Sequence, residues 1–95
     1  MYVVYVLRSI RHDRLYIGVS ENPARRLMEH NAGKTTSTRP FVPFRIIYSA
    51  RYLDKGAALH REKQIKNSGK IRQELKAGTY TPSSSNGQDA RFSSW

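Results

Sequence analysis

The sequence predicts a small α/β domain of the α+β kind, in which a three-stranded, mainly antiparallel sheet packs against helices. Short runs rich in Val, Ile and Tyr alternate with longer segments that have helical spacing and recognisable caps. Only a short polar turn separates the first two predicted strands, so we expect them to pair as a hairpin. The predicted order of elements is β-β-α-β-α-α.

Three segments have the composition of β-strands. The first two span residues 2–8 and 15–19 and flank a polar turn, and the third spans residues 44–50. Their Val, Ile, Tyr and Phe side chains favour extended backbone. A loop rich in Thr, Ser and Pro at residues 34–43 leads into the third strand.

Each predicted helix starts at a residue able to cap it. Asn22 is a suitable N-cap and Pro23 a suitable first helical residue, and Gly33 marks the end of this first helix. Asp54 caps the second helix. Residues 70–76 add one or two further helical turns.

Composition limits both the architecture and the chemistry. The chain has 95 residues, which suits one domain, and it contains no cysteine. Disulfides, thiolate metal ligands and a cysteine nucleophile are therefore excluded. Seventeen Lys and Arg against seven Asp and Glu give a net charge of +10. This charge indicates a polyanionic partner, nucleic acid first among them, although a soluble basic protein without such a partner is the alternative.

The composition changes at Ala77. Residues 1–76 carry the alternating pattern and all of the net charge, and we expect them to form the domain. Residues 77–95 contain Ser, Gly and Pro without periodicity, which predicts a flexible tail. No apolar run approaches the roughly 20 residues that span a bilayer, and no signal-peptide pattern opens the chain. These observations predict a cytoplasmic protein that does not bind membranes.

A carboxylate occupies a position where the second helix is expected to meet the sheet. Leu59, Glu62 and Ile65 fall on one helical stripe. A carboxylate that loses its hydration there needs a cation or hydrogen bonds. The cation is either a Lys or Arg side chain or a metal ion, and the pattern alone favours the ion pair.

The first helix offers a basic pair. Arg26 and His30 are four residues apart and project from the same side of the helix, beside the expected core contacts Leu27 and Met28. Such a pair suits a phosphate group. The alternative, which the pattern alone favours, is a solvated flank with Arg25 and Glu29 as its outer members.

Two tyrosines lie in the two strands of the predicted hairpin. Tyr5 and Tyr16 are each compatible with ordinary packing, in which a buried hydroxyl finds one partner. They are also compatible with proton transfer, because nearby positive charge favours phenolate and lowers a pKa that is normally about 10.

The sequence around these two tyrosines resembles the motifs of the GIY-YIG endonuclease family. The second half of the family name is present as Tyr16-Ile17-Gly18, and the first half as Val4-Tyr5-Val6, in which only the tyrosine is kept. The interval between Tyr5 and Tyr16 is typical of the family. Val19 stands where some members have lysine, and Glu74 lies nearest the place of a late asparagine that many members carry.

The remaining motif residues follow in the family's order. Arg26 stands where the family has its essential arginine, His30 where many members have histidine, and Glu62, in R-E-K-Q-I-K, where it has its metal-binding glutamate. The segment from Asn22 to Gly33 is similar to the same helix in small stand-alone bacterial members and in the eukaryotic structure-specific resolvase subunit. The resemblance covers residues 1–76.

The resemblance implies a metal-dependent endonuclease that hydrolyses phosphodiester bonds. Glu62 would bind one Mg²⁺ or Mn²⁺ ion, and Arg26 would bind the non-bridging phosphate oxygens. Tyr16 or Tyr5 would take the proton from the attacking water, with Tyr16 favoured. His30 would relay that proton or hold a phosphate.

Four further basic residues are candidate contacts to the nucleic-acid backbone: Arg25, Lys34, Arg39 and Lys66. DNA is favoured over RNA, and both structure-selective and nonspecific cleavage stay open. Because larger family members use additional domains for targeting, a protein partner is a further expectation. The alternatives are a nucleic-acid-binding module with weak or no catalysis on the same fold, and a protein-interaction adaptor. Metal-dependent nicking separates the nuclease from the binding module.

Overall fold

The computed structural model describes residues 1–80. Its elements are β1 (Tyr2–Ser9), β2 (Leu15–Ser20), α1 (Pro23–Asn31), β3 (Phe44–Tyr52), α2 (Lys55–Asn67) and α3 (Gly69–Ala77). A 3-10 turn at Arg39–Phe41 lies in the loop before β3. The predicted α+β fold and the order β-β-α-β-α-α are confirmed. Residues 81–95, most of the predicted tail, lie outside the described residues.

The sheet has the strand order β2-β1-β3, and both pairings are antiparallel. Tyr5 in the central strand pairs with Gly18 of β2 and with Ser49 of β3. A register shift between Val6 and Leu7 interrupts the pairing with β3. Because β1 is central, its alternating side chains enter two separate cores, one on each face of the sheet.

The larger core joins the sheet to α2 and α3. It contains Val4, Val6, Ile17, Tyr48, Ala50, Tyr52, Ala58, Ile65, Leu75 and Tyr80. The smaller core lies on the α1 side of the sheet and contains Tyr5, Leu7, Phe44 and Ile46, with Leu27 of α1 packed against it. Removal of these apolar groups from water is the main force that holds the helices on the sheet.

Side-chain hydrogen bonds fix where α1 begins and where it is attached. The Asn22 side chain accepts a hydrogen bond from the Arg25 backbone at 3.1 Å, as expected of an N-cap. At the other end, Gly33 adopts the left-handed conformation, with φ of 76°. The Asn31 side chain bonds both backbone groups of Phe44, accepting from the N–H at 2.7 Å and donating to the carbonyl at 3.0 Å. Asn31 therefore joins the end of α1 to the start of β3.

The prediction that Leu59 lies on the buried side of α2 is wrong. Leu59 is 44% exposed, whereas Ala58 and Ile65 are fully buried against the sheet. Positions seven residues apart return to the same side of a helix after two turns, so Ala58 and Ile65 define the buried line. Glu62 lies beside this line and keeps partial contact with solvent.

The expected core contacts of α1 also need correction. Met28 is 72% exposed, and Leu27 is only partly buried. The fully buried side chains of α1 are Pro23 and His30. His30 is therefore a core residue and not part of a solvated flank. In the part of the chain that the structure describes, no helix has the length and apolar character needed to cross a membrane.

Candidate active site

The β1–β2 hairpin places two phenols on one face of the sheet. Tyr5 pairs directly with Gly18, and Tyr16 lies two residues before that glycine, so all three positions share a face. The ring centroids of Tyr5 and Tyr16 are 6.3 Å apart. Gly18 carries no side chain, and the Tyr5 ring occupies the space in front of it.

Arg26 of α1 contacts both phenols. Its hydrogen bond with Tyr5 is the largest influence on the guanidinium and raises the pKa of Arg26, and a further hydrogen bond reaches Tyr16. The other side of the guanidinium is held by Glu29, whose Oε1 lies 2.7 Å from Nη1 of Arg26. Arg26 is thus oriented from two sides, while 39% of its side chain stays exposed.

Tyr5 and Tyr16 differ in their access to solvent. Tyr5 is 1% exposed, and burial raises the pKa of its hydroxyl, although the hydrogen bond from Arg26 partly opposes this effect. Tyr16 is only half-buried. The negative charge of Glu62 raises the pKa of Tyr5 further. Glu62 is therefore near enough to Tyr5 for its charge to act on that hydroxyl.

Lys66 is a close cationic neighbour of Glu62. Nζ of Lys66, one helical turn further along α2, lies 3.4 Å from Oε2 of Glu62. The Glu62 side chain is 19% exposed and that of Lys66 is 52% exposed. The expected ion pair is therefore present, but its lysine projects into solvent, where such pairs contribute little energy.

Glu62 suits a hard divalent ion that keeps most of its own water. Among residues 1–80 no group of three or more His, Asp or Glu side chains is placed to hold an ion. Mg²⁺ is commonly bound through one or two carboxylates, with water and substrate phosphate completing its shell. Glu62 meets that requirement, because it is a single, partly exposed carboxylate and its neighbour Lys66 is largely exposed.

His30 lies behind Tyr16 in the core. The two ring centroids are 4.5 Å apart, and His30 has no exposed surface. The Thr38 hydroxyl donates to the Thr35 carbonyl at 3.3 Å, so it accepts from Nδ1–H of His30 at 2.9 Å. Nε2 of His30 is buried without a hydrogen-bond partner. Burial and then the charge of Arg26 lower the pKa of His30, which favours the neutral ring.

The four candidate backbone contacts occupy different positions. Lys66 adjoins Glu62, and Arg25 adjoins the candidate active site through Glu29, with its Nε 3.2 Å from Oε2. Lys34 and Arg39 are exposed in the loop after α1, where Nε of Arg39 donates to the Gly33 carbonyl at 2.9 Å. Two of these cations therefore border the candidate active site directly, and two lie beyond the end of α1.

Sequence reasoning missed Glu29 and Thr38 as parts of this site. Glu29 holds both Arg25 and Arg26, and hydrogen bonds from these two arginines lower the pKa of Glu29 although burial alone would raise it. The signal for Glu29 was available, because an acid three and four residues after two arginines predicts helical ion pairs. Thr38 gave no local signal, since its contact with His30 depends on how the loop folds.

Arg61, which precedes Glu62 in α2, forms a second group of contacts. Its Nε donates to the Tyr48 hydroxyl at 3.3 Å, and its Nη2 donates to the Tyr80 hydroxyl. Tyr48 and Tyr80 pack edge to face, with ring centroids 5.7 Å apart. Since Arg61 immediately precedes Glu62, these bonds help to fix the rotation of α2 about its own axis.

Comparison with known proteins identifies the family of this chain. Residues 1–74 match the model of the GIY-YIG catalytic domain. The chain is 38% identical over 72 residues to a UPF0213 protein of Natronomonas pharaonis, covering 75% of this chain and 84% of that protein. A UPF0213 protein of Oceanobacillus iheyensis is 38% identical over 64 residues, or 66% of this chain and 73% of that protein.

A eukaryotic relative matches over a shorter stretch. The structure-specific endonuclease subunit SLX1 of Podospora anserina is 59% identical over 32 residues, which are 33% of this chain and 9% of that protein. The family model matches most of this chain, and the alignments cover more than two thirds of each of these two UPF0213 relatives. The chain therefore belongs to the family of GIY-YIG catalytic domains, a family of nucleases.

Proposed function

We propose that this protein is a metal-dependent endonuclease that hydrolyses phosphodiester bonds in DNA. The observation that carries the proposal is the meeting of Arg26, Tyr5 and Tyr16 on one face of the sheet, within electrostatic range of Glu62. The net charge of +10 supports a polyanionic substrate. The similarity to structure-specific endonuclease subunits supports an endonuclease that selects its substrate by structure.

Glu62 would hold one Mg²⁺ or Mn²⁺ ion. When bound, such an ion supplies positive charge to a phosphate oxygen and to the departing oxygen. The partly exposed carboxylate is the group on α2 that is suited to this role, and Lys66 would then turn towards solvent or a neighbouring phosphate. The side chain of Lys66 is exposed enough for this movement to disturb little else.

Arg26 would bind the non-bridging oxygens of the scissile phosphate. Its planar guanidinium can pair with two of these oxygens, where charge develops during the reaction. Glu29 and Tyr5 hold the guanidinium before the substrate arrives. A cation that is already oriented loses little conformational freedom when the phosphate binds.

Tyr16 is the better candidate for general base. A base must reach the attacking water, and Tyr16 is half-buried whereas Tyr5 is 1% exposed. Burial also raises the pKa of Tyr5, which keeps that hydroxyl protonated. Tyr5 would therefore orient Arg26, and Tyr16 would accept the proton from water. His30 would support the Tyr16 ring from behind.

The backbone on either side of the scissile phosphate would meet exposed cations. Arg25 and Lys66 border the candidate active site, and Lys34 and Arg39 extend the basic surface past the end of α1. Such contacts bind phosphate without regard to base sequence. They favour a nuclease that selects DNA by structure, or cuts it without selection, over one that reads sequence.

Two observations favour a second candidate, a nucleic-acid-binding module with weak or no catalysis. Glu62 already has a cationic partner in Lys66, so a metal ion is not required to balance its charge. The first motif, Val4-Tyr5-Val6, also lacks two residues of the family pattern. Both candidates predict binding that weakens with salt, but only the nuclease predicts cleavage.

Cleavage of labelled flaps, forks, nicked duplexes and single strands in Mg²⁺ or Mn²⁺ tests the proposal. The wild-type protein should cut at least one of these substrates. Glu62→Gln should lower the rate by about 100-fold or more, because a bound ion stabilises the transition state by several kcal/mol. Glu21→Gln, an exposed acid before α1, is the matched control and should cut normally. Full cleavage by Glu62→Gln would remove the metal role, and binding without cleavage by the wild type would favour the second candidate.

A further inference from the structure

A cavity of about 400 Å³ lies between β1, β3 and the end of α3. Arg8, Arg45 and Lys76 line it, together with Ile47 and Leu75. We call it the α3 cavity. Arg8 shares a strand face with Val4 and Val6, which belong to the core of α2 and α3. The cavity therefore lies on the sheet face opposite Tyr5, away from the candidate active site.

Positive charge is concentrated around the α3 cavity. Arg8 and Arg45 are direct partners in the β1–β3 register, and like charges in that position destabilise a strand pair. Lys76 adds a third cation from α3. Asp13 approaches two of them, with its Oδ1 3.5 Å from Nη1 of Arg8 and 3.1 Å from Nζ of Lys76. Three cations and this one carboxylate leave a local charge of +2.

One of these cations, Arg8, also has a nitrogen that makes no hydrogen bond. Nη1 of Arg8 is buried and has no hydrogen-bond partner, although the Asp13 carboxylate is near it. A buried N–H group without an acceptor is energetically costly, so an oxygen that entered the cavity would be stabilised. Asp13 is 74% exposed and can be displaced by a competing anion. Hydrogen bonding from Lys76, and then the charge of Lys76, lower the pKa of Asp13.

The carbonyl end of α3 faces the same region and by itself would disfavour an anion. That effect is reduced because the N–H groups of Gly78 and Thr79 donate to the carbonyls of Leu75 and Glu74 at 3.2 and 2.9 Å. Ile47 is half-buried and gives the cavity an apolar wall, whereas Leu75 is 3% exposed and belongs to the larger core. The cavity thus combines a cationic rim with an apolar surface of a size typical of small-molecule sites.

We propose that the α3 cavity binds the phosphate group of a nucleotide, with the sugar or base lying against Ile47. Arg8, Arg45 and Lys76 contact the phosphate, and Asp13 withdraws when it arrives. The nucleotide is either free in solution or one unit of a nucleic-acid strand. This site is separate from the scissile phosphate, so its occupancy does not depend on the nuclease activity proposed above.

The test measures binding to the full chain with two probes, deoxyadenosine monophosphate and a fluorescent single-stranded oligonucleotide. NMR shifts of the Ile47 and Leu75 methyl groups report the location of each probe. Arg45→Glu should weaken binding by about tenfold or more, the effect expected for losing a hydrogen bond to a charged group. Arg51→Glu makes the same charge change at an exposed position of β3 and is the matched control.

A change at Asp13 separates ligand binding from a structural role. Asp13→Asn removes the carboxylate that competes with the phosphate, so binding should become several-fold tighter. A purely structural ion pair predicts lower stability and no gain in affinity. Lys76→Gln gives a second weakening variant if Arg45→Glu does not fold, as judged by circular dichroism.

The two probes also identify the source of the phosphate. Methyl shifts with the mononucleotide show a site for free nucleotides, whereas shifts with the oligonucleotide alone show a site for a strand. Equal binding losses in Arg45→Glu and Arg51→Glu, or an absence of methyl shifts with both probes, would overturn the proposal. The methyl shifts are read without any cleavage, so a wild-type protein that shows them but cuts none of the labelled substrates would contradict the nuclease proposal alone.

Discussion

Gly18 and Tyr5 face each other so closely across the β1–β2 pairing that a β-carbon at position 18 would lie 2.7 Å from the Tyr5 hydroxyl oxygen. The same carbon would lie 2.9 Å from Cζ of Tyr5 and 3.2 Å from Cε1 of Tyr16. In the described part of the chain, Gly33 and Gly78 are the glycines with positive φ. Position 18 therefore needs glycine for space and not for an unusual backbone conformation.

Gly18→Ala should displace the Tyr5 ring and with it the phenol that contacts Arg26. Forcing an extra methyl group into a packed site costs about 1–3 kcal/mol of stability, which urea unfolding measures. Cleavage should fall as well, because Arg26 loses part of its support. Gly69→Ala is the control, since the nearest atom to its added carbon is Nη2 of Arg72 at 4.0 Å. This account would be contradicted if Gly18→Ala had the same free energy of unfolding as Gly69→Ala and the wild-type protein.

The sequence was sufficient to predict the elements because their signals are local. Asn22, Pro23 and Gly33 delimit α1 through bonds that span only a few residues, and the structure confirms the cap and the left-handed glycine. The strands carry an equally local signal in their Val, Ile and Tyr content. Short-range rules therefore gave the order of elements and the antiparallel sheet.

The faces of the helices could not be predicted with the same success. Met28 and Leu59 were expected to be buried, yet both are exposed, and His30 is buried although it was placed on a flank. Helical periodicity shows which residues share a side, but the side that meets the sheet depends on docking between distant segments. His30 also required Thr38, eight residues away in a loop, to satisfy its Nδ1–H.

The contact of Arg61 with Tyr80 lay beyond sequence reasoning for a related reason. The two residues are 19 positions apart, and Tyr80 falls within the range predicted to be a flexible tail. No periodic pattern joins a helix to a side chain that follows the next helix. In the structure Tyr80 is 8% exposed and belongs to the larger core.

Removing the hydroxyl groups of the two site tyrosines should have unequal effects. Tyr16→Phe should lower the cleavage rate by about 100-fold or more, the usual contribution of a general base. Tyr5→Phe should have a smaller effect, because Tyr5 loses only its bond to Arg26. Single-turnover cleavage measures both, and Tyr2→Phe at the start of β1 is the control. A larger loss in Tyr5→Phe would reverse the roles assigned to the two tyrosines.

The buried neutral His30 predicts a pH dependence of stability. Burial lowers the pKa of His30 in the folded protein below the value near 6.5 that it has when unfolded. As the pH falls through about 6.5 the unfolded chain binds a proton that folded His30 does not, so the free energy of unfolding should decrease. Above that pH the dependence attributable to His30 should vanish. Urea unfolding between pH 5 and 8 measures this slope.

His30→Gln should be less stable throughout and should lack the part of the slope that His30 supplies. His60→Gln, at an exposed position of α2, should keep the wild-type slope. If the His30 variant retained the full slope between pH 5 and 6.5, protonation of another group would have to explain it. If His60→Gln lost the slope, protonation of His60 and not of His30 would account for the pH dependence.

The bonds of Arg61 predict measurable coupling between α2 and the segment after α3. Arg61→Met leaves the Tyr48 and Tyr80 hydroxyls without their donor, and an unsatisfied buried polar group costs about 1–3 kcal/mol. Tyr80→Phe should cost less, about 0.5–1.5 kcal/mol, because it removes one hydrogen bond and leaves the ring in place. Lys63→Met, at an exposed position of α2, should leave stability nearly unchanged.

The double variant of Arg61→Met and Tyr80→Phe decides whether these two residues act together. Once Arg61 is absent, the Tyr80 hydroxyl has already lost that donor, so the second change should add less than it does in the wild-type background. Additive losses would show that the two side chains stabilise the fold independently. Because Arg61 adjoins Glu62, the Arg61 variant should also require more Mg²⁺ for half-maximal cleavage, while Lys63→Met should not.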